Sequence, residues 1–418
     1  MPFRAALSGI NSSGEELRVI GNNVANASTT GFKKSRAEFA DVYAAADGAA
    51  STSIGAGVRL SGVTQQFGQG NIGFTNSKLD LAINGRGFFV MDDNGTRAYT
   101  RAGNFQVDRE GFITNPDGNK LVVNGADENG TITGAVGPLQ LDRSNITPLA
   151  TNRVDVGLNL DSTERVPPTA PFSPDIPSSF NSSTSLTVYD SLGGSHLATM
   201  YYVKGAEPGK WDMYTLVDGK DIKGAEAPPF APDTIGFNGA GQLETINGSP
   251  VPPGTIDYPE FDPGTGAEPL TLSMNLLSNS PITQFGTRFN VNELSQNGFT
   301  SGRLSGVDID DTGVVRARYT NGQTRTLGQV ALADFSNPQG LRPLGDSAWA
   351  ESFDSGVPLV GTPGSGSLGV LQAGALEGSN VDLTSELVNM ITAQRNFQAN
   401  AQVITTADTV TQTVINIR

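Results

Sequence analysis

The residue types best suited to nucleophilic catalysis meet at one point of the sequence. His196, the single histidine of the chain, directly follows Ser195 and stands six residues after Asp190. A serine, a histidine and an aspartate can form a proton relay that activates the hydroxyl group as a nucleophile. Consecutive residues of a strand point to opposite faces, however, so Ser195 and His196 are not expected to face each other. The pattern favours a surface histidine that follows a Gly-Gly turn.

Two further motifs have part of the spacing of a ligand site. Residues 308–313 begin like a calcium-binding loop, with carboxylates at relative positions 1 and 3 and glycine at 6. Position 12 is Tyr319, where such a loop needs a bidentate carboxylate, so a β-turn is favoured. Residues 68–73 and 364–369 match the G-x-G-x-x-G pattern, but neither is predicted to open the helix that holds a pyrophosphate. Both are interpreted as linker sequence.

The composition removes most other enzyme chemistry. The 418 residues include no cysteine and one histidine, which excludes disulfides, thiol nucleophiles and multi-histidine metal sites. The net charge of −15 is expected to repel nucleic acid and acidic membrane surfaces. No apolar stretch approaches 18 residues and no signal peptide is recognised. We therefore predict no catalytic residues, no cofactor, no metal, no nucleic-acid partner and no membrane insertion, with any export following a route without a cleaved signal.

Apolar residues recur at intervals of seven near both ends of the chain. At the amino terminus the main row contains Phe3, Ile10, Leu17 and Val24. A second row stands three positions after it and contributes Ile20. These five are the predicted contact residues of the first helix. At the carboxyl terminus they are Leu383, Leu387, Met390, Phe397 and Ile404. A narrow seam of this kind favours coiled-coil-like contact between helices. Glycines in the first helix and β-branched residues in the second weaken them, so we expect both to order only against partners.

Between the helices the hydrophobic period becomes that of strands. Short β-branched or aromatic segments are bounded by turn residues, and eight Asn-Gly and three Asp-Gly pairs favour tight antiparallel hairpins. The predicted fold class is mainly β with paired N- and C-terminal helices.

The composition also changes within the β region. Residues 161–280 contain 15 of the 24 prolines and a net charge of −10, which indicates an inserted outer domain. The predicted division is terminal helices at 1–30 and 376–418, linkers at 31–72 and 356–375, an inner β domain at 73–146 and 290–355, and an outer β domain at 147–289.

Three motifs occur in order along the chain. The first, at 20–39, contains Asn22, Asn23, Asn26, Thr30, Gly31 and Phe32. The second comprises 79–90, 99–105 and 108–113, and the third comprises 379–387 and 393–400. Together they resemble the signatures of the bacterial flagellar rod and hook proteins. The length and the acidic, proline-rich insertion resemble the hook members of this family more than the shorter rod members.

The resemblance implies a structural subunit and no enzyme. The terminal helices would stack with those of other copies into an inner tube around an export channel, with the β domains outside. The polymer would be a flexible universal joint that transmits torque from rod to filament. Family members leave the cell through the flagellar type III export apparatus without a cleaved signal, and they contact the distal rod, hook cap and hook–filament junction proteins.

Two alternatives stay open at this point. One is the distal rod protein of the same family, which length disfavours. The other is a secreted β-rich carbohydrate-binding or hydrolytic protein, which would need a carboxylate or aromatic cluster within 147–289, where Trp211 is a candidate. The glycine- and serine-rich linkers are further interpreted as hinges that allow a tube to bend.

Overall fold

The computed structural model describes residues 2–42, 55–127, 129–224 and 229–416. Within these residues, a helix lies near each end of the chain and 31 strands lie between the two helices. The predicted fold class is confirmed. By their contacts the residues form two compact units. Unit 1 comprises Met1–Arg143, Gly306–Arg318 and Thr324–Arg418, and unit 2 comprises Ser144–Ser305 and Tyr319–Gln323.

The elements alternate between the two units along the chain. The first part of unit 1 contains α1 (Pro2–Ala25), β1 (Ser35–Asp41), β2 (Val58–Gln65), β3 (Ile72–Phe74), β4 (Leu81–Asn84), β5 (Phe88–Asp93), β6 (Thr96–Thr100), β7 (Gln106–Val107), β8 (Ile113–Thr114), β9 (Lys120–Ala126) and β10 (Ile132–Pro138). Unit 2 contains β11 (Arg153–Asp161), a 3-10 helix (Pro177–Ser179), β12 (Ser182–Tyr189), β13 (Ser195–Lys204), β14 (Lys210–Val217), β15 (Lys220–Asp221), β16 (Asp233–Phe237), β17 (Leu243–Ile246), β18 (Ser249–Pro250), β19 (Thr255–Asp257), β20 (Ser273–Asn275), β21 (Thr283–Phe285) and β22 (Asn290–Gln296). The chain then returns through β23 (Leu304–Ile309), β24 (Val314–Tyr319), β25 (Thr324–Val330), β26 (Leu332–Asp334), a 3-10 helix (Pro338–Gly340), β27 (Arg342–Gly345), β28 (Ala348–Ala350), β29 (Leu359–Gly361), β30 (Val370–Ala373), β31 (Ala375–Glu377) and α2 (Leu383–Asn416).

The core of unit 1 is organised around β5, whose first four residues are all apolar. Phe88 and Val90 pack in one cluster with Trp349, while Phe89 and Met91 pack in a second cluster on the opposite face. Successive strand residues face opposite sides, so an unbroken apolar run is what a strand buried on both faces requires. β5 accordingly lies inside the sheet, with the order β23-β24-β25-β9-β5-β6-β28-β27.

The core of unit 2 is built by alternation. In β11, four alternate side chains are buried, which are Val154, Val156, Leu158 and Leu160. In β13, Ala198, Met200 and Tyr202 alternate in the same way and face the same core, which also contains Trp211. β12 to β18 form one sheet, and β11 pairs with β20 and β21 in parallel and with β22 antiparallel in another.

The segments expected to be linkers contain paired strands instead. Within 31–72, β1 and β2 form an antiparallel hairpin. Within 356–375, β29 pairs with β26 and β30 pairs with β4. Leu368 and Leu371 explain the second case, because their side chains are buried in the core of unit 1 and hold the glycine-rich chain in place. Residues 43–54, which hold most of the alanine- and glycine-rich run, lie outside the described residues.

The end of the inserted domain also differs from the expected boundary. Residues 290–305 were expected in the inner β domain, but β22 pairs antiparallel with β11. Val291 and Leu294 pack against the unit 2 core. The insert therefore extends to Ser305. The proline-rich, acidic segment stops at residue 280, before β22 begins, so the composition placed the boundary of the insert too early.

Gly103 tests the packing of unit 1. A Cβ at this position would overlap the main-chain oxygen of Leu81 at the start of β4. Because a main-chain atom of a paired strand cannot move aside, we expect Gly103→Ala to lower the free energy of unfolding of unit 1 by about 2 kcal/mol. Gly134→Ala in β10 is the control, since a Cβ there meets no atom within 4 Å. Chemical denaturation followed by fluorescence measures both variants, and equal midpoints would contradict the expectation.

Candidate assembly surface

The two terminal helices pair antiparallel. Gly9 of α1 lies beside Asn400 of α2, and a Cβ added to Gly9 would come within 2.6 Å of the Asn400 side chain. Farther along α1, Asn23 Nδ2 donates to Glu386 Oε2 at 3.5 Å, near the start of α2. The residue numbers rise along one helix as they fall along the other. The absence of a side chain at Gly9 permits the close approach.

The residues that are buried on the two helices are mostly small or polar. In α1, the buried residues Ala6, Ser13 and Ile20 recur at intervals of seven. In α2, Glu386 and Ala393 are buried at the same interval. Ala6, Ser13 and Ile20 each stand three positions after a residue of the predicted main row, which begins at Phe3. Of the ten predicted contact residues, only Ile20 is fully buried within the single chain.

Four of the ten predicted contact side chains are largely exposed in the single chain. Phe3, Leu383, Leu387 and Phe397 keep 52%, 48%, 49% and 39% of their surface exposed. The remaining five are half-buried, which are Ile10, Leu17, Val24, Met390 and Ile404. Exposed apolar residues that the sequence analysis did not select are Leu7, Val388, Ile391, Val403, Val410 and Ile415.

The exposed apolar residues of α2 do not follow one row of the helix. Leu387 and Ile391 are four positions apart, whereas Val403 and Val410 are seven apart on another side. A helix that is apolar on several sides is typically surrounded by other elements. Phe3 lines one side of an open groove that includes Val403 and Val410. We define the assembly surface as the exposed apolar residues of α1 and α2.

The amino-terminal signature forms the junction between α1 and β1. Asn23 is buried, its Nδ2 donates to Ser35 O at 2.8 Å, and its Oδ1 accepts from Ser35 N at 2.9 Å. Asn26 Nδ2 donates to Asn22 O at 3.0 Å in the last turn of the helix. The side chains of these asparagines therefore fix the path by which the chain leaves α1.

Gly31 completes this turn. Its φ of +68° lies in the left-handed region, and a Cβ would overlap the main-chain nitrogen of Ala102. Its own N–H donates to Glu377 O at 2.8 Å, so the turn is tied to the strand that precedes α2. Thr30 and Phe32, on either side of it, are half-buried, and Asn22 is exposed.

A buried charge cluster joins the three sequence motifs. Lys33 Nζ lies 2.6 Å from Glu377 Oε1, and Arg101 Nη1 lies 3.1 Å from Glu377 Oε2. Gly68 O also accepts from Lys33, and Gly70 N donates to Glu377. Burial lowers the pKa values of both Lys33 and Arg101, and the charge of Glu377 opposes that effect. Sequence reasoning missed this cluster, although each residue lies in or beside a different motif.

The start of α2 is fixed by two further side chains. Asn380 Nδ2 donates to Gln66 O at 2.7 Å, and Asn380 Oδ1 accepts from Lys34 N at 2.8 Å. Asp382 Oδ1 accepts from the N–H groups of Thr384 and Ser385, which caps the helix. Hydrogen bonds from the Ser385 and Thr384 backbones lower the pKa of Asp382. The adjoining ends of both helices are thus held at one junction.

The motifs considered for ligand chemistry form turns or core contacts. Asp310 Oδ1 accepts from the N–H groups of Thr312 and Val314, so residues 310–314 form the expected β-turn. Ser195 is exposed and His196 is buried, so the two point to opposite faces as expected.

Among the described residues, no group of three or more acidic or histidine side chains is placed to hold a metal ion. Neither described helix is long and apolar enough to span a bilayer.

Four family descriptions match consecutive parts of the chain. Flagella basal body rod protein matches 3–33, Flagellar hook protein FlgE/F/G D1 domain matches 82–153, Flagellar basal body protein FlaE D2 domain matches 159–299, and Flagellar basal body rod FlgEFG protein C-terminal matches 372–417.

Full-length relatives and a solved structure are similar as well. The chain is 40% identical to the flagellar hook protein FlgE of Salmonella typhimurium over 424 residues, with all of both chains covered. It is 38% identical to the flagellar hook protein FlgE of Escherichia coli K12 over 425 residues, again with complete coverage. The crystal structure of Helicobacter pylori flagellar hook protein FlgE2 matches with a TM-score of 0.55 and 15% identity, covering 73% of this chain and 100% of that one, which shows a shared fold.

The buried charge cluster gives a prediction for the junction. Glu377→Gln leaves Lys33 and Arg101 buried without a counter-charge, and we expect it to lower the free energy of unfolding by about 3 kcal/mol. Lys78→Met is the control, because the pair that Lys78 forms with Asp308 is largely exposed and contributes at most about 1 kcal/mol. Urea denaturation of the two variants measures the difference. Equal losses would show that the cluster does not hold the junction.

Proposed function

The chain belongs to the flagellar hook protein family, and we propose that its copies polymerise through the assembly surface into a flexible tube whose inner wall is the paired helices. It is a structural subunit of the bacterial flagellar hook. The observation that carries the proposal is the exposure of large apolar side chains on both terminal helices. Fully burying one such side chain contributes roughly 1.5–3 kcal/mol, so several per copy favour association strongly.

The arrangement of the helices indicates how contacts between copies are divided. The small residues around Gly9 and Ala393 pack α1 on α2 within one chain. The large residues of the assembly surface remain for neighbouring copies. When one face docks on a different face of the next copy and the rotation does not close, the product is an open helical polymer. A single type of subunit can therefore build a tube.

Bending requires some contacts to slide while others hold. Copies on the outside of a curve move apart and copies on the inside move together. The terminal helices hold because the contacts between copies are apolar. The buried charge cluster also fixes the end of α1 and the start of α2 within each copy. We assign the contacts that slide to the acidic, inserted unit 2. Glycine-rich residues in 55–72 and 356–375 adjust at positions where no strand is paired.

The family supports several further roles. The subunit polymerises with other flagellar axial proteins, and we place the distal rod, hook cap and hook–filament junction proteins among its partners. It reaches the outside of the cell through the flagellar type III export apparatus, without a cleaved signal. The assembled joint transmits torque from rod to filament. No catalytic step is part of this function.

The two alternatives considered from the sequence fit less well. A carbohydrate-binding surface would present aromatic ring faces, but Trp211 is completely buried in the core of unit 2. A distal rod protein would be shorter, whereas the relatives that match over the whole chain are hook proteins. Both observations favour the hook subunit.

The assembly surface can be tested without disturbing the single chain. Ile391 and Val403 are exposed on α2, so replacing both with serine leaves the monomer folded and removes apolar area that polymerisation would bury. With roughly 1.5–3 kcal/mol per side chain, we expect the critical concentration for tube formation to rise at least about tenfold. Sedimentation and electron microscopy under polymerising salt measure it.

A matched control separates lost contacts from a weakened helix. Gln394→Ser with Gln398→Ser lowers helix propensity at least as much at exposed polar positions, because Gln is a better helix former than Ile or Val, and it should polymerise normally. Deletion of residues 383–418 should abolish tubes altogether. If the Ile391/Val403 variant assembles like the control, or the truncated chain still forms normal tubes, the assembly surface is assigned wrongly.

A further inference from the structure

The only histidine of the chain is buried between two carboxylates in unit 2. The sequence analysis favoured a surface position for His196, which is wrong, because 5% of the residue is exposed. Its Nδ1 lies 2.7 Å from Asp218 Oδ2, and its Nε2 lies 3.2 Å from Asp190 Oδ2. The histidine thus links the turn after β12, which contains Asp190, to the turn after β14, which contains Asp218.

With both aspartates ionised, the geometry requires a proton on each ring nitrogen. An ionised carboxylate only accepts hydrogen bonds, and a neutral imidazole donates from one nitrogen alone. The other oxygens of the two aspartates are already engaged, since Asp190 Oδ1 accepts from Leu192 N and Gly194 N, and Asp218 Oδ1 accepts from Leu197 N. Two ring–carboxylate hydrogen bonds therefore exist together only when the imidazole is protonated.

We infer that His196 is a pH-sensitive latch within unit 2, closed while the imidazole is protonated and opened at the Asp218 turn when the proton leaves. This inference does not depend on the proposed polymerisation. It concerns the folded stability of unit 2 in a single chain.

The two aspartates differ in how easily they can release the ring. Asp190 is 1% exposed and also accepts a hydrogen bond from Thr265 Oγ1 at 3.0 Å. The side chain of Asp218 is 48% exposed, so water can replace the histidine. A neutral ring that keeps its proton on Nε2 for Asp190 turns the lone pair of Nδ1 towards Asp218 Oδ2. Repulsion then acts on the aspartate that is free to move.

The other charged groups on the surrounding elements do not replace this contact. The hairpin that carries Asp218 also carries Lys220. Burial works to raise the pKa of Asp218, the hydrogen bonds from His196 and Leu197 lower it, and the charge of Lys220 adds to that lowering. The loop that brings Thr265 to the site carries Asp262 and Glu268, and Glu268 N donates to Ser191 Oγ in the turn beside Asp190. Among the described residues, only Asp190 and Asp218 hydrogen-bond to the ring.

The pKa directions agree with a latch that is closed at mildly acidic pH. Burial works to lower the pKa of His196, but the hydrogen bonds and charges of Asp218 and Asp190 outweigh it and raise that pKa above the ordinary 6.5. The stabilisation is therefore complete below pH 6.5 and is lost as the pH rises through the pKa of the folded state. Burial likewise works to raise the pKa values of Asp190 and Asp218, but hydrogen bonds outweigh it and lower both below 3.8. Their contribution is lost only as the pH falls through those lowered values.

NMR can follow the latch directly because the chain has one histidine. Carbon-labelled histidine in the full-length chain, kept monomeric at low salt, gives a single set of imidazole signals. We expect these signals to titrate above pH 6.5. Each unit by which the folded pKa exceeds the unfolded one corresponds to about a tenfold fall in the folding equilibrium constant of unit 2 across the titration.

Asp218→Asn is the decisive variant. The amide keeps the acceptor for Leu197 N and places an N–H group opposite Nδ1, where it donates to the neutral ring. Asparagine also tolerates the left-handed backbone at this position, where φ is +50°. We expect the imidazole titration to move down by at least one pH unit. The fall in stability between pH 6 and 9 should disappear, as it should in His196→Gln.

The stability of unit 2 is read from Trp211 fluorescence during denaturation, in a Trp349→Phe background that removes the other tryptophan. Asp346→Asn is the matched control, since Asp346 occupies another left-handed turn position, in unit 1. It should leave the titration unchanged. A histidine that titrates at or below pH 6.5 in the parent protein would overturn the inference. So would an Asp218→Asn variant with the pH dependence of the parent.

Discussion

The antiparallel contact between α1 and α2 constrains the rest of the molecule, because it brings the two ends of a 418-residue chain together. Everything between the helices must leave the junction and come back to it. The polar side chains of Asn23 and Asn380 and the salt bridges of Glu377 fix the points of departure and return. Buried charges seldom add net stability compared with apolar packing, but they are intolerant of displacement. They suit a place where two distant segments must meet in one register.

The sequence was most informative where its periodicity had a direct physical cause. A seven-residue interval predicted both terminal helices, and the alternation of turn pairs with β-branched segments predicted the antiparallel β region. The same interval could not say which row packs within the chain. Large residues such as Phe3 drew attention, while Ala6 and Ser13 are the ones buried within the single chain. Which row is buried depends on how closely the two helices approach each other. That distance depends on Gly9 of α1 and Asn400 of α2 together, which lie far apart in sequence.

Other features were hidden because composition does not determine pairing. Glycine and serine around Leu368 suggested a free linker, but two buried leucines are enough to hold that segment in the core. His196 was assigned to the surface from its neighbouring glycines, although it continues the alternation of Ala198, Met200 and Tyr202 on the buried face of β13. Lys33, Arg101 and Glu377 lie far apart in sequence, so no local pattern could have joined them.

The ends of unit 2 lie side by side, since Ile146 N donates to Gly302 O and Leu149 pairs with Phe299. The chain therefore enters and leaves the inserted segment Ser144–Ser305 at two neighbouring points, whatever the length of sequence between them. Loops and strands can be gained or lost inside the insert without changing the span that unit 1 has to bridge. The inserted segment can thus differ in sequence and length while the contacts of unit 1 stay the same. In evolutionary terms, the inserted segment can be exchanged as one piece because its two ends stay in the same place.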